Sequence, residues 1–119
     1  MWRAMRLVVD TGLHSKRWTR QQAIDYMVTN AGLSEANVIA EVDRYIAWPG
    51  QALGYKVGEL FIRRLRAEAE AELKDAFDLR LFHDEVLSAG ATTLPILERR
   101  IDAWVESRRE MIYDPDDEM

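Results

Sequence analysis

The sequence predicts an all-α fold of about six helices in a mostly antiparallel, bundle-like array, with one long central helix. Apolar residues recur at intervals of three and four along most of the 119-residue chain, which is the spacing of helices with one buried face. No stretch alternates apolar and polar residues as a half-buried strand does, and no segment is repeated. Capping residues, glycines and prolines divide the periodic segments into separate helices.

Capping and terminating residues in the sequence predict where helices one to three begin and end. Helix one is predicted over Trp2 to Leu13. Thr19 and Gln22 fit a capping box at the start of helix two, and Gly32 is placed to end that helix. Ser34 caps helix three. The residues predicted to face the core from these helices are Met5, Val8, Val9, Leu13, Ala23, Ile24, Met27, Val28, Ala31, Val38, Ile39, Val42, Tyr45 and Ile46.

Helix four is predicted to be the longest element. Pro49 ends helix three because it disfavours helical backbone at Trp48, and it also suits the first position of a new helix. Helix four is therefore predicted to begin near Pro49 and to run to about Lys74, a length of roughly 40 Å. Its apolar side chains are predicted at Leu53, Val57, Leu60, Phe61, Leu65, Ala69 and Leu73.

Two further helices complete the predicted fold. Helix five lies between its cap, Asp78, and Gly90, and helix six begins near Thr93. Residues 1–109 are predicted to form one helical domain. The remaining residues, 110–119, are predicted to form a frayed acidic tail.

The composition excludes several kinds of protein. The chain has no cysteine, which excludes disulfides and thiolate metal sites, and it has only two histidines. No apolar run approaches the ~20 residues of a membrane span, and charged residues interrupt the N-terminal segment too early for a signal peptide. The net charge of −5 argues against a nucleic-acid partner, although basic residues cluster near the N-terminus at Arg3, Arg6, Lys16, Arg17 and Arg20. We therefore expect no membrane or nucleic-acid partner, and the localisation stays unknown.

Three glycines stand four residues apart in predicted helix four, at Gly50, Gly54 and Gly58. Each costs a helix roughly 1 kcal/mol relative to Ala, so a compensating use is expected. Residues four apart share one helix face, and glycines there would let another backbone approach closely, from a neighbouring helix or a bound peptide. Gln51 and Tyr55 project together beside this face as an amide and a phenol. If the face is packed instead, Tyr55 is a half-buried core aromatic.

The sequence holds no complete catalytic constellation, and no motif for zinc, phosphate or nucleophilic catalysis occurs. Asp10 and His14 are four residues apart on helix one, so the carboxylate could orient the imidazole and favour its charged form. The alternative is an ordinary pair on a helix surface. His83 lies beside the apolar face of helix five, where a structural or surface role is expected.

Four segments are distinctive: "RAMRLVVDTGLH", "WTRQQAIDYM", "LSEANVIAEVDRYIAWPGQALGYKVGELFIRRLRAEAE" and "FDLRLFHDEVL". Together they closely resemble the C-terminal part of the bacterial family called domain of unknown function 885. The likeness extends from Trp2 to about Val105, and "RYIAWPGQALGYK" is its most specific part.

The resemblance implies a larger, mostly helical zinc-peptidase-like protein whose metal motif, H-E-x-x-P-G-H-H, lies upstream of the matched part. This sequence lacks that motif, so it is expected to be a truncated or split form, to hold no metal or other cofactor itself, and not to be catalytic alone. By resemblance, Tyr55 and His14 are the candidates to donate a hydrogen bond to the oxyanion in a complete family member. Gln51, Lys56 and Arg6 are weaker candidates for substrate contact.

Two functions remain open at this point. In the first, the chain is a C-terminal helical segment that forms one wall of a peptide-binding cleft, and its partner is the missing N-terminal half. In the second, it is a stand-alone helical interaction module that forms a homodimer. The second follows because a segment cut from a larger domain would expose the apolar face that its missing half covers.

Overall fold

In the computed structural model, which describes residues 1–112, every regular element is helical. The α-helices are α1 (Trp2–His14), α2 (Arg20–Ala31), α3 (Glu35–Ala47), α4 (Gly54–Leu73), α5 (Leu79–Ser88) and α6 (Leu94–Ile112), and 3₁₀ turns at Gln51–Leu53 and Lys74–Ala76 flank α4. The predicted all-α class is confirmed, as is the long central helix, which with its flanking turns extends over 26 residues. None of the described helices is both long and apolar enough to cross a lipid bilayer.

Two helix ends differ from the prediction. α4 begins at Gly54 and not near Pro49, because Gly50 adopts a left-handed backbone with a φ of +80°, which interrupts the helix before the 3₁₀ turn. α6 runs to Ile112, so the predicted acidic tail begins inside a helix. The rest of that tail, residues 113–119, lies outside the described residues.

The chain forms two compact units, Met1–Glu59 and the part from Leu60 onward, and α4 contributes residues to both. The first unit contains α1, α2 and α3, and the second contains α5 and α6. The prediction of one helical domain over residues 1–109 stays a prediction.

The first unit is built around an apolar core to which α1, α2 and α3 all contribute. Its buried members are Val9, Ala23, Ile24, Met27, Val38, Val42, Tyr45 and Ala52. Three residues predicted to face this core are instead about two-fifths exposed: Val8, Val28 and Ile46. Each is the sequence neighbour of a buried residue, and one residue is a rotation of about 100° around a helix. The part of each helix surface that the core buries is therefore narrower than the stripe of apolar residues on that helix.

The second unit has its own core, formed by α4, α5 and α6. Its buried members are Leu65, Ala69, Phe82, Leu97 and Ile101. The Phe82 ring lies 5.9 Å from the Phe77 ring and 6.1 Å from the Trp104 ring, between ring centroids, within the range of favourable aromatic pairs. At the start of α4 the predicted apolar stripe is partly exposed to solvent: Val57 is 42% exposed and Leu60 is 50% exposed.

The predicted helix caps are formed by the residues that the sequence indicates. The backbone N–H of Gln22 donates to Thr19 Oγ1 at 3.1 Å, and the backbone N–H of Thr19 donates to Gln22 Oε1 at 2.8 Å, which completes the capping box of α2. Ser34 caps α3, and Asp78 caps α5. These local bonds fix where three of the helices begin.

Candidate functional site

Tyr55 lies in the first turn of α4, and its side chain is the centre of the candidate site. The residue is 48% exposed. The guanidinium carbon of Arg3 lies 4.6 Å from the centre of the phenol ring, and that of Arg6 lies 5.2 Å from it. Both distances are within the range of cation–π attraction, which holds the ring against α1. The structure thus brings together two of the predicted site residues, Tyr55 and Arg6.

Arg6 is held in place by a hydrogen-bond network with α3. It is only 9% exposed, its Nε donates to the Tyr45 hydroxyl at 3.0 Å, and its Nη2 donates to Glu41 Oε2 at 3.3 Å. Glu41 Oε2 also accepts from the Tyr45 hydroxyl at 3.0 Å and from Arg44 Nη2 at 2.6 Å. One carboxylate therefore organises two arginines and a tyrosine, and through Arg6 it also fixes the position of the Tyr55 ring.

The charge states in this network follow from the same contacts. Desolvation raises the pKa of the Glu41 carboxyl, but hydrogen bonds from Arg44, Tyr45 and Arg6 outweigh it, so the pKa lies below its ordinary value of 4.5. Burial raises the pKa of the Tyr45 phenol above its ordinary value of 10.0. At neutral pH Glu41 is therefore charged and accepts hydrogen bonds, while Tyr45 keeps its proton and donates one.

Asp10 holds the turn that precedes α4, and it does not pair with His14 as one interpretation of the sequence proposed. Its carboxylate is 2% exposed, and it accepts the backbone N–H of Gly50 at 3.1 and 3.2 Å through its two oxygens. Gly50 adopts the left-handed backbone that favours glycine. A bond between residues 40 positions apart therefore sets the path of the chain between Trp48 and the start of α4.

His14 is the last residue of α1, and its imidazole is bound to α3. Nε2 lies 2.8 Å from the backbone oxygen of Tyr45. A carbonyl oxygen can only accept, so Nε2 carries a proton and donates it there. The predicted oxyanion donor thus has only Nδ1 left for any other partner.

The two remaining candidates have different surroundings: Gln51 lines a surface depression, and Lys56 forms an ion pair. Gln51, Gly54 and Tyr55 line an open depression of about 380 Å³. Lys56 does not face that depression as a free cation, since its Nζ lies 3.2 Å from Glu59 Oε2. The structure therefore groups Tyr55 with Gln51 and Arg6, and binds Lys56 and His14 to other partners.

The predicted close-packing face of Gly50, Gly54 and Gly58 needs correction. Gly50 is outside the helix, and a Cβ atom placed on any of the three would meet no heavy atom of the described chain within 4 Å. None of the helices that the structure describes packs closely there, and the close approach of a separate polypeptide to this face stays a prediction. The close contact is made at Gly12 in α1, where a Cβ would lie 2.6 Å from the indole ring of Trp18.

Two contributors to the site were not identified from the sequence. Arg3 was noted only as one of several basic residues, and Glu41 was not singled out at all. Arg3 and Arg6 are three residues apart on α1, so they share a helix face, and this spacing is the one sequence signal that could have joined them. Their approach to Tyr55 and Glu41 depends on tertiary packing.

Zinc is the metal that the resemblance implies, and the described residues do not fit it. No group of three His, Asp or Glu side chains between residues 1 and 112 is arranged to hold a metal ion.

The fold and the site together define an all-helical protein that presents an arginine-flanked tyrosine on its surface. The chain belongs to the family described as "Bacterial protein of unknown function (DUF885)", whose sequence profile matches residues 1–101. The predicted family membership is confirmed.

A crystal structure that resembles this chain is described as that of "the putative lipoprotein from Colwellia psychrerythraea". The two chains are 57% identical and superpose with a TM-score of 0.87. The match covers 88% of this chain and 18% of the Colwellia chain, so this chain spans about a fifth of that protein's length. Comparison with curated proteins gives no match.

Proposed function

We propose that this chain is the C-terminal helical part of a larger zinc-peptidase-like protein and forms one wall of its peptide-binding cleft. The observation that carries the proposal is the arrangement of Tyr55. Its ring is held by two arginines, while its hydroxyl makes no hydrogen bond to the residues that the structure describes. A fixed phenol with a free hydroxyl can donate to a peptide carbonyl, and the Gln51 amide beside it can both donate and accept.

The size of the relative supports this placement. More than four-fifths of the Colwellia protein lies outside the matched segment. In a protein of that length, the opposite wall and the zinc ligands would lie in the unmatched part, since the described residues of this chain offer no metal cluster. The description of the Colwellia protein as a lipoprotein supports a second proposal, that such proteins act after export from the cytoplasm.

A chimera tests the proposed function. In it, this chain replaces the matched segment of the Colwellia protein, and peptide hydrolysis is measured with and without a zinc chelator. We expect chelator-sensitive hydrolysis by the chimera and none by this chain alone. Tyr55→Phe removes one neutral hydrogen bond of about 0.5–1.5 kcal/mol, so it should lower kcat/KM roughly twofold to twelvefold.

Tyr26→Phe is the matched control for this experiment. Tyr26 is also a partly exposed tyrosine, but its ring packs against Trp18 and not against arginines, with 5.7 Å between ring centroids. Its substitution should leave kcat/KM unchanged. A chimera and a Colwellia parent that both fail to hydrolyse peptides would reject the peptidase assignment, and equal effects of the two substitutions would reject the role of Tyr55.

A homodimeric interaction module is the second candidate, and the exposed apolar side chains favour it. Trp48 is 60% exposed, and Ile46 and Val57 are 41% and 42% exposed. Apolar groups of this size favour association when they form a continuous surface. We expect sedimentation velocity to show a dimer whose population rises with protein concentration and falls in Trp48→Ser. A compact monomer at the highest concentration would exclude this candidate.

A further inference from the structure

Positive charge is in excess around Tyr55. Arg3 and Arg6 lie against its ring, and Arg44 joins Arg6 on the same carboxylate, Glu41. These contacts bring three guanidinium groups together with one carboxylate. The one acid of α1, Asp10, is engaged by the turn before α4. This local excess stands out because the chain as a whole has a net charge of −5.

Arg3 carries the uncompensated part of this charge on the surface. It is exposed, and it makes no ion pair or hydrogen bond with the residues that the structure describes. The guanidinium carbons of Arg3 and Arg6 lie 4.6 and 5.2 Å from the centre of the same ring, so both cations contribute to the positive potential around Tyr55. An anion bound beside Arg3 would be stabilised by that potential.

The contact of Arg3 with the Tyr55 ring leaves its hydrogen-bond donors without a partner among the described residues. A guanidinium attracts an aromatic ring through its flat face, whereas its five N–H donors lie in the plane and point outward from the edge. That edge has the spacing that matches the two oxygens of a carboxylate. Tyr55 lines the open depression together with Gln51 and Gly54 and also contacts the Arg3 guanidinium, so the depression and Arg3 are neighbours on this surface.

We propose that Arg3, supported by the charge of Arg6 near the same Tyr55 ring, forms a subsite that binds a carboxylate of the peptide. The inference rests on the proposed function, since it takes the ligand to be a peptide. The carboxylate could come from the peptide C-terminus or from an acidic side chain. A C-terminal source would mean that the cleft acts near the ends of its substrates.

Binding to the full 119-residue chain tests the subsite without requiring hydrolysis. The probes are N-acetyl-trialanine as the free acid, the same peptide as its amide, and an amidated peptide with one Asp side chain. Binding is followed by amide chemical shifts in NMR titrations at low salt. We expect the free acid to bind about fivefold to tenfold more tightly than the amide, with shifts at Arg3 and Tyr55 that diminish as salt is added.

Substitutions test whether Arg3 causes the difference in binding between the acid and the amide. Arg3→Gln should abolish the difference between acid and amide, whereas Arg3→Lys, which keeps the charge without the planar edge, should retain part of it. Arg80→Gln is the matched control, because it makes the same charge change at a side chain that is 91% exposed on α5. It should leave the difference intact. The unbound spectra of the variants establish that each is folded.

Every outcome bears on the subsite separately from the peptidase assignment. Tight binding of the amidated Asp peptide would support the subsite and assign the side chain as the source of the carboxylate. Equal binding of the acid, the amide and the Asp peptide, or no binding of any of them, would overturn the proposal. Equal shifts with inorganic phosphate at the same affinity would also overturn it, because they would show a general anion site. Hydrolysis by the chimera is a different measurement and can fail or succeed independently.

Discussion

Gly12→Ala is expected to destabilise the protein by about 1–2 kcal/mol, even though Ala is the better helix former by about 1 kcal/mol. A Cβ at Gly12 would lie 2.6 Å from two atoms of the Trp18 indole. That ring is partly buried against the first core and lies 5.7 Å from the Tyr26 ring, so it cannot move aside without disturbing its other contacts. Overpacking of this kind costs more than the gain in helix propensity. Chemical denaturation gives the change in unfolding free energy.

Gly58→Ala is the matched control, and the opposite sign is expected. Gly58 is inside α4, and a Cβ there would meet no heavy atom within 4 Å. The substitution should therefore raise the unfolding free energy by about 0.5–1 kcal/mol through helix propensity. If both substitutions changed the unfolding free energy in the same direction, the contrast between a glycine packed against Trp18 and a glycine without a neighbouring side chain would be wrong.

Most of the helix starts could be predicted because their signals are local. Thr19 and Gln22 are three residues apart, and Ser34 and Asp78 each bond to backbone groups within three residues. A bond of this range is present in the sequence pattern itself. Several residues of the predicted core are exposed, since apolar spacing indicates which side of a helix is buried but not how wide the covered arc is.

The start of α4 could not be predicted in the same way. Pro49 is suited to the first position of a helix, and that local preference placed the start there. The structure places the start at Gly54, because Asp10 binds the N–H of Gly50 and supports its left-handed backbone. A partner 40 residues away leaves no trace in the local pattern. The glycine register was therefore misread as one continuous helix face.

The candidate site was predicted in part for the same reason. Gln51 and Tyr55 are four residues apart, and their grouping followed from helical spacing. Arg6 was linked to them only by the family resemblance, and the structure places its guanidinium near Tyr55. The carboxylate that holds Arg6 is Glu41, which is 35 residues away in the chain. Such a network is defined by the packing of α1 on α3, which the sequence pattern does not specify.

Glu41→Gln is expected to lower the unfolding free energy by about 2 kcal/mol at neutral pH. The substitution leaves Arg6 and Arg44 without their shared anion, and Arg6 is 9% exposed. Removing one partner from a fully buried pair costs about 3–5 kcal/mol, and the smaller figure reflects the 26% exposure of the Glu41 side chain. Glu110→Gln is the matched control, because Glu110 lies on α6 without an ion pair to any described residue, and it should change stability little.

The pH dependence separates the loss of this charge from a simple packing defect. The pKa of Glu41 is depressed in the folded protein, so its contribution is fully present above its unfolded pKa of about 4.5 and is lost as the pH falls through the lower folded pKa. The difference between the wild type and Glu41→Gln should therefore be constant from neutral pH down to about pH 5 and should shrink below about pH 4.5. Denaturation curves across this range measure it. A difference that stayed constant down to about pH 2 would mean that the carboxylate charge does not hold the arginines in place.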